Sequence, residues 1–390
     1  MHSETNFIVV GAGISGLTVA LHLQEAGAEF LLVDPRPGQG TSHVAAGMLA
    51  PASEVNYDED LMGELLRRAA QYWELFSEKV ASLTMGPTGY EKRPTMLVAT
   101  ERGDLEELVR LERYHRHLNI ESYLLGRSEA REAEPTLTPK AIGGLFTPQD
   151  FQVDNRMILS SLLRSFDSKQ QVVRSLVTSV SPSRDRGWTL KLEDGSSLHC
   201  KTVILCNPMH APEELLPSSK DKELLRFITS RPVKGDILRL NDTLDQGPKI
   251  CIRSIRNGRW NYIVPRLSGE VVVGATQEET SQRSKLAAKA GGVLDLLLDA
   301  VSSVPILREL SLVEVSAGLR PGTYDNYPLV GEIHPGLFIH SGHYRHGFLL
   351  APVTAAALVS SLTKGIDWND SSFLHHFTSI LSPYRYTPST

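Results

Sequence analysis

The run Phe7-Ile8-Val9-Val10 passes directly into Gly11-Ala12-Gly13-Ile14-Ser15-Gly16, and this junction constrains the fold more than any other stretch of the chain. Four consecutive apolar residues, mostly β-branched, predict a strand buried on both faces. A helical pattern follows at Leu17, Ala20, Leu21 and Leu23, ended by Gly27 as the residue beyond the C-cap. Phe30 to Val33 predicts a second buried strand, closed by Asp34 and Pro35. Together these make one βαβ unit. Gly11 permits the tight turn, Gly13 lets the backbone approach a pyrophosphate, and Gly16 lets helix and strand pack closely. The helix N-terminus attracts the phosphate charge. Asp34 is placed to accept from ribose hydroxyls and would repel a 2′-phosphate, which disfavours NADP. A dinucleotide is expected; the fingerprint alone does not separate FAD from NAD.

At 390 residues and 43.0 kDa the chain has length for roughly two or three domains. Its 40 basic and 45 acidic residues give a net charge of −5, so neither a nucleic-acid nor an anionic-membrane partner is expected. Cys200, Cys206 and Cys251 show no metal spacing, and MHSETNFIVV lacks a secretory pattern. Reduced thiols and a cytoplasmic location are the expectation. The longest near-apolar run, Gly347 to Ser360, is shorter than the ~18 residues that suggest a membrane span. His340-x2-His343-x2-His346 has no carboxylate or thiolate beside it in sequence, so no metal is expected.

Further along, Arg36 to Pro51 predicts a loop without helical or strand period, of a length that is more often functional than idle. Helices are predicted over Leu61 to Leu83, Asp104 to Leu118, Ser284 to Leu298 and Pro352 to Leu362. Strands are predicted at Thr95 to Thr100, Gln171 to Val180, Trp188 to Glu193, Ser197 to Leu205 and Leu337 to His340. Short strands from Lys234 to Thr276, with turn signals at Asn257-Gly258 and Ser268-Gly269, predict an antiparallel sheet. The fold class is α/β: a Rossmann-like FAD-binding domain with a second domain built on a largely antiparallel sheet plus helices. The expected division is 1–85, 150–228 and 315–390 for the cofactor domain, with 86–149 and 229–314 for the substrate domain.

The extended pattern Gly16-x3-Ala20-x2-Leu23-x3-Gly27, then strand and Asp34, resembles the long βαβ signature of FAD-binding oxidoreductases. Thr41 to Pro51, containing Ala45-Ala46-Gly47-Met48-Leu49-Ala50-Pro51, resembles the flavin-contacting loop of the D-amino-acid oxidase and sarcosine oxidase superfamily. Within that superfamily it is similar to the glycine oxidases of thiamine biosynthesis. Gly318-Leu319-Arg320-Pro321-Gly322-Thr323, with Asp325, Pro328 and Gly331, looks like the family's substrate-carboxylate segment. Gly342 to Pro352 looks like its second flavin loop. The four blocks span residues 7 to about 362 and are weakest over 85–150.

The resemblance implies non-covalent FAD. It is held through Gly11, Gly13, Ile14, Ser15, Gly16, Asp34, Arg36, Thr41, Ser42, Ala45, Ala46, Gly47, Met48, Val177, Gly342, His343, Arg345, His346, Gly347, Phe348 and Leu349. The stretch Ser316-Ala317-Gly318-Leu319 has no cysteine where sarcosine oxidases attach their flavin. Arg320 suits a carboxylate clamp, because a planar guanidinium grips two oxygens. The resemblance adds Tyr262 as a phenolic donor to the same carboxylate, the Arg345 carbonyl as acceptor from the amine, and Met48 at the flavin edge. The activity so implied is FAD-dependent oxidative deamination of glycine or similar small amino acids, with O2 as oxidant. No acid–base pair is needed for hydride transfer from a neutral amine. The N-terminus of the helix predicted at Pro352 would stabilise negative charge on the reduced ring. The family suggests a homo-oligomer. Other readings stay open: a D-amino-acid or sarcosine oxidase or dehydrogenase, an NAD-dependent dehydrogenase, or a non-catalytic flavoprotein. Gln277 stands where an apolar residue is expected over the substrate, which leaves the preferred side chain open.

Overall fold

A computed structural model describes residues 5–183, 187–206, 231–256, 259–280, 286–363 and 375–386. The βαβ unit forms as expected. Strand Thr5–Val10 lies between Phe30–Val33 and Ser197–Leu205 and is parallel to both. Leu337–Ser341 extends the parallel pairing beyond Ser197–Leu205, and Val172–Val173 flanks Phe30–Val33. Antiparallel strands Val177–Pro182, Trp188–Leu192 and Leu329–His334 complete an eight-stranded sheet. Because successive side chains alternate faces, Val9, Leu32 and Ile204 enter one apolar core and Ile8, Val10, Leu31, Val33, Val203 and Leu205 another.

The first core is capped by helices Ile14–Glu25, Asp60–Thr84, Asn155–Asp167 and Gly347–Leu362. The last begins five residues before the expected start, with Pro352 inside it. A proline removes one helix donor, leaving the carbonyl four residues earlier without its partner. That carbonyl is Phe348 O, and Trp73 Nε1–H donates to it at 3.0 Å and to Leu349 O at 3.2 Å. A tryptophan from another helix thus lets the helix run through its proline.

The second sheet has nine strands, antiparallel throughout except where Cys251–Arg256 runs parallel to Thr95–Ala99. One face, with Leu238, Leu240, Ile252, Ile263, Val271 and Val273, packs under helix Ala290–Ser303. The opposite face carries Gly235, Ile237, Arg239, Arg253, Tyr262, Val264, Arg266, Gly274, Gly318 and Arg320, by the same period of two. This face turns toward the first sheet.

Several local expectations are corrected. Arg36 to Pro51 contains a helical turn, Thr41–Val44, and a two-residue strand, Met48–Leu49, paired with Phe151–Val153. Gln171 to Val180 is two strands, since pairing breaks between Val173 and Val177. The helix predicted from Ser284 is found at Ala290–Ser303; 281–285 and the Asn257-Gly258 turn lie outside the described residues. No helix among the described residues is long and apolar enough to cross a membrane. The three cysteines are free and buried, and burial pushes all their thiols up, Cys200 to about 12.

Candidate functional site

A cavity of about 500 Å³ lies between the glycine turn of the first sheet and the inward face of the second. At one end Gly11 takes φ 103°, which favours glycine. A Cβ on Gly16 would sit 1.8 Å from Gly11 O, so Gly16 packs helix against turn and does not line the cavity. Gly13 caps the helix, and a Cβ there would meet Ser42 Oγ at 3.0 Å. Ser42 Oγ accepts from Ile14 N at 3.0 Å, which ties the loop to the helix start. Asp34 Oδ2 accepts from Ala12 N at 2.8 Å and Oδ1 from Arg36 N at 2.7 Å. Asp34 therefore braces the turn, with lone pairs left over for a ribose.

The cavity wall includes Gly11, Gly13, Ile14, Ser15, Asp34, Arg36, Thr41, Ser42, Ala45, Ala46, Gly47 and Met48 of the expected set, with Gly342, His343, Arg345, Gly347 and Phe348. Besides Gly16, three expected residues do not line it. Val177 is buried in the second core beside Val33, and Leu349 in the first, because the pleat and the helix face turn them inward. His346 lies off this wall, lining an adjoining recess with Gln277 and Arg345.

The three histidines have internal partners. Ser15 Oγ meets His340 Nδ1 at 2.6 Å, while Thr354 Oγ1 lies 2.9 Å from His340 Nε2 and 3.2 Å from His343 Nε2. His346 Nδ1 approaches Glu54 Oε2 at 3.4 Å. Burial holds all three imidazoles below their ordinary range, His343 down to about 3. Among the described residues no group of three His, Cys, Asp or Glu is arranged to hold a metal.

At the other end stand Arg320 and Tyr262. Arg320 Nη1 donates to Thr276 O at 3.1 Å, and its guanidinium lies over Gly235, where a Cβ would meet it at 2.5 to 2.7 Å. Tyr262 lies over Gly274 in the same way, 2.5 Å from where a Cβ would be. Burial raises the Tyr262 phenol and the Arg320 and Arg253 charges oppose it, so the hydroxyl keeps its proton and can donate. Met48 and Gln277 are also on the wall. The Arg345 side chain is not free in solvent: Nη2 donates to Glu54 O at 2.7 Å and Asn56 Oδ1 at 2.9 Å, fixing the backbone that carries its carbonyl.

Residues the sequence did not single out complete the wall. Glu54 pairs with Arg253 Nη1 at 3.2 Å; burial opposes its charge, but Arg253 and His346 hold its carboxyl well below the usual range. Arg253 lies 5.4 Å from the Trp260 ring centroid. Only the period of two within predicted strands could have suggested Arg253 and Gly235, and it does not say which face turns inward.

The loop from Ser42 to Gly47 is held from behind. Asn155 Nδ2 donates to Ser42 O and His43 O, Arg239 Nη2 to His43 O and Ala45 O, and Arg266 Nη2 to Ala46 O. Val153 N donates to Gly47 O. Among the described residues neither Ala46 N–H nor Gly47 N–H has an acceptor, although both residues are buried. Buried amides without partners, a glycine turn at a helix N-terminus and a ribose-ready carboxylate together fit a flavin dinucleotide.

A family model described as DAO, FAD dependent oxidoreductase, matches residues 6–361. The bifunctional protein ThiO/ThiG of Synechocystis is 30% identical over 394 residues, covering 100% of this chain and 55% of its own length. The chain spans about half the length of the bifunctional relatives it matches. A glycine oxidase of Geobacillus kaustophilus is 26% identical over 383 residues, covering 95% of this chain and 97% of its own. Among solved structures, glycine oxidase from Bacillus cereus superposes with a TM-score of 0.84 at 23% identity, covering 97% of this chain and 98% of the other. That from G. kaustophilus gives 0.80 at 25%, covering 93% and 95%.

Proposed function

This chain belongs to the FAD dependent oxidoreductase family, and on that premise we propose that it deaminates glycine or a similarly small amino acid oxidatively. Bound FAD would supply the chemistry, taking a hydride from the substrate Cα at N5 and passing the electrons to O2 to give H2O2. The protein's part is to bind and orient. Arg320 grips the carboxylate with two parallel N–H donors, and Tyr262 donates its hydroxyl to the same group. The Arg345 carbonyl, on backbone fixed through Glu54 and Asn56, accepts from the amine. Gly11, Gly13 and Asp34 hold the dinucleotide, Met48 borders the ring, and the helix beginning at Gly347 offers its N-terminal amides to negative charge on it.

The observation that carries this reading is Arg320 and Tyr262 facing one cavity across two glycines, Gly235 and Gly274, that leave room for them. The product imine is hydrolysed to an oxo acid such as glyoxylate, or handed to a thiazole-forming step. Relatives named as a thiamine biosynthesis oxidoreductase and as ThiO/ThiG support the latter fate. In this reading segments 1–85, 150–228 and 315–390 carry the cofactor and 86–149 with 229–314 the substrate, in a cytoplasmic homo-oligomer. Gln277 on the wall favours a second reading, a D-amino-acid or sarcosine oxidase or dehydrogenase, because its amide can bond a polar substituent. Anaerobic mixing with glycine, sarcosine and D-alanine while following flavin bleaching tests both. Fastest bleaching by glycine supports the first, and no bleaching by any of the three overturns both.

A further inference from the structure

Arg266 is a buried charge with no contacting counter-charge; the carboxylates of Asp154 and Glu270 reach it only at longer range. It is 4% exposed, yet among the described residues no carboxylate stands within ion-pairing distance. Its partners are neutral: Nη1 donates to Gln152 Oε1 at 2.5 Å, Nη2 to Ala46 O, and Nε has no acceptor. Arg239, on the strand Arg231–Asn241 and supporting the same loop, differs in having Glu270 as an ion-pair partner. Burying an unpaired guanidinium is costly, and chains keep such groups where an anion arrives to compensate them.

The geometry shows where that anion would be. Arg266 lies on the same strand face as Tyr262 and Val264, behind the Ala45–Gly47 loop, with Nη2 3.4 Å from where a Gly47 Cβ would be. A peptide N–H points opposite to the carbonyl of the same peptide plane. Since Ala46 O is drawn back to Arg266, the Gly47 N–H of that peptide is turned the other way, toward the cavity that Gly47 lines. Cationic hydrogen bonding to the carbonyl also polarises the peptide and strengthens its donor.

We propose that Arg266 is a positioning residue: it aims the Gly47 amide into the cavity and, through that peptide, favours the reduced, anionic form of the cofactor over the oxidised form. The inference rests on the FAD reading above and goes beyond it by assigning the control of reduction potential to a residue outside the cavity wall.

The test uses the whole chain loaded with FAD. Midpoint potential is measured by dye-coupled titration, and sulfite, which adds to oxidised flavin and leaves it anionic, is titrated by absorbance. Arg266→Gln is expected to shift the potential to more negative values and to raise the sulfite Kd about tenfold or more, the loss of one charge-assisted donor. Arg266→Lys, which keeps the charge, is expected to recover part of both. If Arg266→Gln does not fold, Gln152→Glu serves, because it places a carboxylate against Arg266 and should shift both readouts in the same direction. Flavin-loaded variants with unchanged potential and sulfite affinity would overturn the proposal. A colourless wild-type protein that takes up no FAD would instead remove the cofactor reading itself.

Discussion

Arg253 and Tyr262 are directly opposed on neighbouring antiparallel strands, and the same phenol feels the Arg320 guanidinium from its other side. Burial raises the phenol and Glu54 adds to that, while the two guanidinium groups oppose it. Arg253 is itself balanced by Glu54, so the net attraction for a carboxylate is concentrated at Arg320. The end of the cavity that holds Arg320 and Tyr262 is in this way polarised along one row of a sheet.

Removing the clamp should be felt as lost substrate affinity. Arg320→Ala is expected to lower kcat/KM for glycine by about 100-fold or more, since charge-assisted bonds contribute about 1.5–3 kcal/mol each. Arg320→Lys should recover only part, because an ammonium does not match two carboxylate oxygens. Steady-state kinetics alongside the flavin-to-protein absorbance ratio checks this; an unchanged KM would refute the clamp.

Gly235 should prove as necessary as the arginine it faces. In Gly235→Ala the new methyl meets the Arg320 guanidinium at 2.5 to 2.7 Å and must displace it. The expected outcome is a KM raised about tenfold or more with FAD content unchanged, since crowding of this kind costs about 1–3 kcal/mol. Loss of FAD in step with activity would point to general misfolding instead.

Trp73→Phe isolates the support of the proline-containing helix. It leaves Phe348 O and Leu349 O without the indole donor in a buried setting. A stability loss of about 1–3 kcal/mol is expected. Thermal unfolding followed by circular dichroism should show a lower Tm with the flavin spectrum retained in the folded protein.

Acid sensitivity should trace in part to His343. Burial holds its imidazole down at about 3, against 6.5 when exposed. A histidine kept neutral by folding binds its proton more readily when unfolded. Its contribution is thus intact above pH 6.5 and is lost progressively as pH falls from 6.5 toward 3, by about 1.4 kcal/mol per pH unit. Asp150, raised by burial to about 6, acts in the opposite sense: it stabilises at low pH and loses that contribution as pH rises through 6. Comparing urea midpoints of wild type and His343→Gln at pH 7 and pH 5 cancels Asp150 from the difference. The variant should lose less stability on acidification; an equal loss would remove His343 as a source.

Much of this protein was legible residue by residue. The βαβ unit follows from neighbours in sequence, because a strand, its turn and the next helix are local: Gly11 takes a positive φ, and a Cβ on Gly16 would collide with Gly11 O. Helix Asp60–Thr84 and the strands about Ser197–Leu205 follow from periodicity in the same way. The Arg36–Pro51 loop could be identified by resemblance but not folded from its own pattern, since its carbonyls are held by Asn155, Arg239 and Arg266, far along the chain. The last helix starts five residues before Pro352 for a similar reason: local rules favour proline in the first turn, and among the described residues Trp73 gives Phe348 O the donor that Pro352 lacks.

The glycine turn, Asp34 and Arg320 could be picked out from contiguous motifs, because the backbone physics of each motif is local, and the structure places Gly11, Gly13, Asp34 and Arg320 on one cavity wall. That Glu54, Arg253 and Gly235 line the same cavity, with Arg266 behind its loop, follows from long-range packing and not from any local pattern. These residues come together through pairing of strands distant along the chain, and which face of a strand turns inward is set by what packs against it.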